Sequence, residues 1–110
     1  MVQHPHRARF RRLRGAEIRS IGPGVVTEAA YDGAFGNKTV VRLDDGMVLW
    51  YCHQGDFGVE LGERVAPGDL IGYVGSTGSV TGPHLLLEVH PSDGEPIDPE
   101  SWLAEHDLSA

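Results

Sequence analysis

Glycine-bearing turns interrupt this chain so often that only short elements fit between them. Gly22-Pro23-Gly24, Asp32-Gly33, Asp44-Asp45-Gly46 and Pro67-Gly68 all carry residues suited to tight-turn backbone angles, and the segments between them are largely apolar. With 15 Gly and 7 Pro in 110 residues, the pattern favours short strands over a helical bundle. That length buries one modest core, which implies one domain. Strands are expected over Glu17–Ile21, Val25–Tyr31, Lys38–Leu43, Met47–His53, Leu70–Val74 and Pro83–His90. The Asp45-Gly46 pair suits a hairpin, so Lys38–Leu43 and Met47–His53 are predicted to pair antiparallel. Near the end, Asp98 and Pro99 read as an N-cap and first helical residue, predicting one short helix to about His106.

The net charge of -7 hides an asymmetry. Residues 1–20 hold Arg7, Arg9, Arg11, Arg12, Arg14 and Arg19 against Glu17 alone, or +5. Residues 21–110 set three bases against fifteen acids, or -12, which argues against the body of the domain binding nucleic acid. Residues 1–14 read as a basic arm, either a solvated leader or a strand with its arginine face to water. The single Cys52 excludes an internal disulfide framework and a multi-cysteine zinc knuckle. No window approaches the ~18 apolar residues of a membrane span, and the arginine-rich start lacks the apolar core of a signal peptide.

Four stretches carry a family pattern in order. They are Gly24-Val25-Val26, Gly36-Asn37 leading into Val40-Val41, Tyr51-Cys52-His53, and the run from Gly72 to Val89. In the last, a Gly75-Ser76-Thr77-Gly78 loop leads into Gly82-Pro83-His84 and a strand ending Glu88-Val89. Together they resemble the lysostaphin/LytM-type cell-wall metallopeptidases over roughly residues 15–103. The resemblance implies an all-β, LytM-like hybrid β-sandwich or barrel with short antiparallel strands. It is expected to span residues 15–106, with a tail at 107–110. It also implies a cell-envelope or extracellular setting, which the missing export signal does not explain; a truncated or phage-borne product would resolve that conflict.

Members of that family hold zinc through a His-x-x-x-Asp motif near the start and the second His of a His-x-His strand, leaving a position for an activated water. Two further histidines orient that water and stabilise the developing charge. By resemblance, His53 and His84 stand at these two catalytic positions. The ligand positions fare differently: Leu86 replaces the second His of His-x-His, and counting back from Gly15 puts Pro5 and Arg9 at the other two. An arginine repels a dication instead of binding it. No metal ligand set is therefore expected. His4 and His6 are the fallback candidates, whereas His90 lies about 13 Å further along the strand than Leu86.

Asn37, Tyr51, Ser76, Thr77, Thr81 and Glu88 are the expected groove residues, Glu88 having a plain solvent-facing acid as its alternative. Cys52 is expected to face the core, and Trp50 and Trp102 to be packing anchors. The expected function is a degenerate, non-catalytic LytM-type domain without a cofactor. It would bind a peptidoglycan stem or cross-bridge peptide or regulate a partner wall hydrolase. The alternative is an active zinc metalloendopeptidase with a rearranged or truncated metal site. A biotinyl- or lipoyl-type carrier shares the turn around Pro67-Gly68 but needs an exposed hairpin lysine, and the only lysine, Lys38, opens a strand.

Overall fold

A computed structural model describes residues 7–11, 15–77 and 84–91, with residues 7–11 and His84 described as backbone. It contains eight strands: β1 (Arg7–Arg11), β2 (Glu17–Arg19), β3 (Gly24–Tyr31), β4 (Asn37–Leu43), β5 (Met47–Phe57), β6 (Arg64–Val65), β7 (Leu70–Val74) and β8 (His84–Pro91). They form one antiparallel sheet in the order β1-β8-β5-β4-β3-β6, with β7 joined to β5 and β2 to β7. The predicted short C-terminal helix lies outside the described residues.

Turn chemistry sets the connections. Between β4 and β5, Gly46 takes φ 93°, its N–H donates to the Leu43 carbonyl at 2.9 Å, and Asp45 Oδ1 accepts from Met47 N at 3.0 Å. In the Pro67-Gly68 turn, Gly68 at φ 87° lets Asp69 N reach the Ala66 carbonyl at 3.0 Å, while Gly68 N donates to Ser20 O at 2.8 Å. That second bond ties the turn to the end of β2.

The central strands alternate cleanly. Val41 and Leu43 of β4, Leu49 and Tyr51 of β5, and Leu87 and Val89 of β8 join Ile18, Val26, Val59, Val65, Ile71 and Val74 in one apolar core. Val40, Val48, Cys52, Leu86, Glu88 and His90 are buried as well, on the opposite face of the same strands. Two buried faces explain why KTVVRL and LLLEV read as nearly continuous apolar runs.

Several expectations change. Of the two readings of the basic start, Arg7–Arg11 follows the strand, paired with β8. β5 runs past His53 to Phe57 because β7 supplies a partner for Gln54, Asp56 and Phe57, which their own propensities do not. Cys52 is buried, yet it pairs with Leu86 on the face away from the core. The core position belongs to its neighbour Tyr51, which was expected in the groove and is 1% exposed. Lys38 is buried within β4, which removes the carrier reading.

The Tyr51 hydroxyl accepts from Ile21 N at 3.2 Å. Burial pushes it up to about 12, against the opposing pull of its hydrogen bonds with Ile21 and Ser20. A folded-state value above the unfolded one means stability fully present below about pH 10 and lost as pH rises through 12. The wild type is therefore expected to lose about 2–3 kcal/mol across that window relative to Tyr51→Phe, which lacks the titrating group. Urea unfolding of both proteins at pH 9 to 12 measures the difference.

Candidate functional site

The site lies where β5 changes partners. Met47–Cys52 pairs with β8, and Gln54–Phe57 pairs with β7. Between them His53 takes φ 63°, the one non-glycine residue in the left-handed region among the described residues. Such a conformation costs roughly 1–2 kcal/mol for an L-residue. On the other edge of β5, Tyr51 pairs with Thr39 and Gln54 with Asn37, so three steps along β5 match two along β4. This is a β-bulge. Gln54 is thereby brought to the Thr39 side, where its Oε1 accepts from Thr39 Oγ1 at 2.6 Å.

The loop after β7 clamps the bulge. Thr77 O accepts from His53 Nδ1 at 2.7 Å, and Thr77 Oγ1 donates to Gln54 O at 2.7 Å while accepting from Asn37 N at 3.0 Å. Asn37 Nδ2 donates to the same Gln54 carbonyl at 3.0 Å, and Gly75 N donates to His53 O at 3.2 Å. Because a carbonyl only accepts, the proton sits on Nδ1 and Nε2 is the basic nitrogen. Gly36, at φ 68°, allows the approach, since a Cβ there would run into the Thr77 backbone and hydroxyl.

The expected site residues thus divide. His53, Asn37 and Thr77 are joined directly, and Ser76 sits in the same loop. His84 opens β8 opposite Arg11 of β1. Thr81, His4 and His6 lie outside the described residues. Glu88 is not solvent-facing: it is 3% exposed, and its Oε1 lies 3.0 Å from His90 Nε2.

His90 stacks on Trp50 with ring centroids 4.2 Å apart, and Lys38 Nζ lies 4.0 Å from the Trp50 centroid. Lys38 also meets Asp32 Oδ2 at 2.6 Å and Glu28 Oε2 at 3.2 Å. Burial alone would lower the Lys38 pKa, but these two carboxylates outweigh it and hold the ammonium above its ordinary value. The Lys38–Trp50–His90 layer went unrecognised in the sequence; the signal available was alternation along β4 and β5, which puts Lys38 and Trp50 on the face opposite Tyr51.

The residues at the implied metal positions do not fit a metal. Leu86 is 3% exposed and pairs with Cys52 on one side and Arg9 on the other. Two positions that should supply an imidazole and a carboxylate are direct cross-strand partners, and neither side chain is a zinc donor at neutral pH. Among the described residues no group of three or more His, Cys, Asp or Glu could hold a metal ion.

An antiparallel β domain is the architecture that the lysostaphin/LytM resemblance implies. The chain belongs to peptidase family M23, whose model matches residues 6–99. It is 38% identical over 87 residues to the DD-carboxypeptidase/endopeptidase Mpg of Neisseria meningitidis serogroup B, covering 79% of this chain and 20% of that protein. To the glycyl-glycine endopeptidase ALE-1 of Staphylococcus capitis it is 37% identical over 76 residues, 67% of this chain and 21% of that one. Among solved structures, the catalytic domain of lysostaphin from Staphylococcus simulans superposes with a TM-score of 0.84 at 30% identity, covering 87% of this chain and 76% of that one. A zinc-containing peptidase from Vibrio cholerae gives 0.77 at 32% identity, covering 82% and 28%. The chain spans about a fifth of the length of the two curated relatives.

The clamp makes a direct prediction. Gly36→Ala and Thr77→Val are each expected to destabilise the fold by about 1–3 kcal/mol, the first through a strained φ and a backbone collision, the second by stranding Asn37 N and removing a donor from Gln54 O. Urea unfolding monitored by Trp fluorescence measures both losses.

Proposed function

We propose that this is a degenerate M23 domain that does not cleave peptide bonds. In this reading it receives a peptidoglycan stem or cross-bridge peptide in the groove beside His53 and His84, as a binding module or as a regulator of a wall hydrolase at the cell envelope. The observation that carries the reading is the cross-strand pairing of Arg9 with Leu86. A catalytic zinc needs three protein ligands and an open position for water. Here one implied ligand position is apolar and its partner bears a permanent positive charge, so two of the three fail together.

The ordered residues around His53 support the binding part of this reading. His53 is held in one tautomer by Thr77, and Asn37, Ser76 and Thr77 line the loop beside it, with Thr81 and His84 assigned to the same groove by resemblance. In this reading, a site without a metal but with an ordered clamp at His53 suits recognition better than hydrolysis. The peptidoglycan-directed activities named for the relatives supply the ligand class.

Elemental analysis of the purified protein, with a turbidity assay on isolated cell walls, tests the reading. The wild type is expected to hold far less than the about one zinc per chain of a catalytic site and to leave walls intact. The Arg9→Asp, Leu86→His double variant, with donors at both positions, is expected to take up more zinc. About one zinc per wild-type chain together with wall clearing would establish the active metalloendopeptidase instead, with His4 and His6 the ligands to mutate.

A further inference from the structure

Gln54 follows the strained His53 and is itself fully buried. Its side chain reaches toward β4, where Oε1 accepts from Thr39 Oγ1 at 2.6 Å. On its other side the amide lies against Gly72: a Cβ there would come 2.5 Å from Nε2 and 2.6 Å from the Asp56 carbonyl. Nε2 meets no hydrogen-bond acceptor among the described residues. A buried amide with a donor unmet stabilises a fold no more than a shape-matched apolar pair would. Stability alone therefore does not account for a glutamine at this position.

The amide does fix the peptide unit that follows His53. The Gln54 carbonyl accepts from Thr77 Oγ1 at 2.7 Å and from Asn37 Nδ2 at 3.0 Å, and Thr77 O in turn accepts from His53 Nδ1 at 2.7 Å. The bonds run in one chain from the Thr39 hydroxyl through the Gln54 side chain and carbonyl to Thr77 and the His53 ring. We infer that Gln54 is the positioning residue of His53: held between Thr39 and Gly72, it aims its own carbonyl at Thr77 and so keeps the ring in the tautomer with Nδ1 protonated and Nε2 unprotonated. This goes beyond the peptide-binding reading, because it concerns what sets the ring, whichever group the ring meets. A neutral imidazole without a fixed partner shares its proton between both nitrogens, so neither is reliably an acceptor. The strained backbone at His53 and the chain behind it serve the same end, one ring orientation and one acceptor nitrogen.

The test reads the two ring nitrogens of His53 by nitrogen NMR on the whole chain at about pH 9, where an ordinary imidazole is neutral. Loss of two signals in His53→Gln assigns them. The wild type is expected to show one protonated and one unprotonated nitrogen, well apart. The Thr39→Val, Gln54→Met double variant replaces both partners by apolar groups of similar shape, so its urea midpoint is expected to hold or rise. In the same variant the separation of the two nitrogens should fall by about half or more as the tautomers mix. Thr39→Ser, which keeps the hydroxyl, should retain the wild-type separation. Val65→Ala, which opens a cavity in the core far along the chain, should lower the urea midpoint and leave the separation unchanged. A double variant whose His53 nitrogens stay as far apart as in the wild type, or a Val65→Ala protein in which they converge equally, would overturn the assignment.

Discussion

The change of partner along β5 is the constraint on which the rest of this domain depends. A strand of 11 residues passes one edge from β8 to β7, and the transfer occurs at His53. A regular strand would keep Cys52 and His53 on opposite faces; the left-handed backbone at His53 and the bulge against β4 break that alternation. The backbone groups freed at the bulge are claimed at once by Thr77, Asn37 and Gly75. Buried backbone polar groups left unpaired would each cost about 1–3 kcal/mol, so the strained histidine and its clamp must form together.

The second buried face sets the other boundary of the site. It contains polar groups as well as apolar surface: Lys38 with Glu28 and Asp32 at one side, Glu88 with His90 at the other, and Trp50 between them. The buried Lys38 ammonium and its half-exposed carboxylate partners contribute little net stability, because desolvation offsets most of their attraction, but removing the partners leaves an expensive lone charge. The effect of these polar groups is to hold β4, β5 and β8 in a single register. A slip of β4 by one residue would drive Lys38 onto the core face opposite Tyr51.

Much of the strand plan was legible in the sequence because turn chemistry is local. Asp45-Gly46 and Pro67-Gly68 mark their own turns, and the strands on either side, Leu70–Val74 in full, follow from them. The misreadings share one cause: each concerned a pairing supplied from far along the chain. The extension of β5 depends on β7, and β8 decides between the leader and the strand that RARFR alone leaves open. The exchange of Tyr51 and Cys52 has the same origin, since both faces of β5 are buried and alternation tells which residues share a face without telling which face meets the core. In the candidate site, His53 and Thr77 were singled out from their motifs, and the structure joins them by a hydrogen bond. The contact that joins them depends on Gly36, whose φ of 68° a sequence does not display.

On the proposed non-catalytic reading, the pairing of Arg9 with Leu86 couples the two implied ligand positions. Had the two implied ligand positions been distant, each substitution would remove one donor, and restoring either would recover part of the site. As cross-strand partners they share one small volume. An imidazole restored at position 86 alone would still face a permanent cation, and a carboxylate restored at position 9 alone would face a buried leucine with no metal to share. Each single reversion is therefore penalised by the residue left in place, one by charge repulsion and the other by desolvation of an unpaired carboxylate. On the non-catalytic reading, only a simultaneous change at both positions would supply the two missing donors.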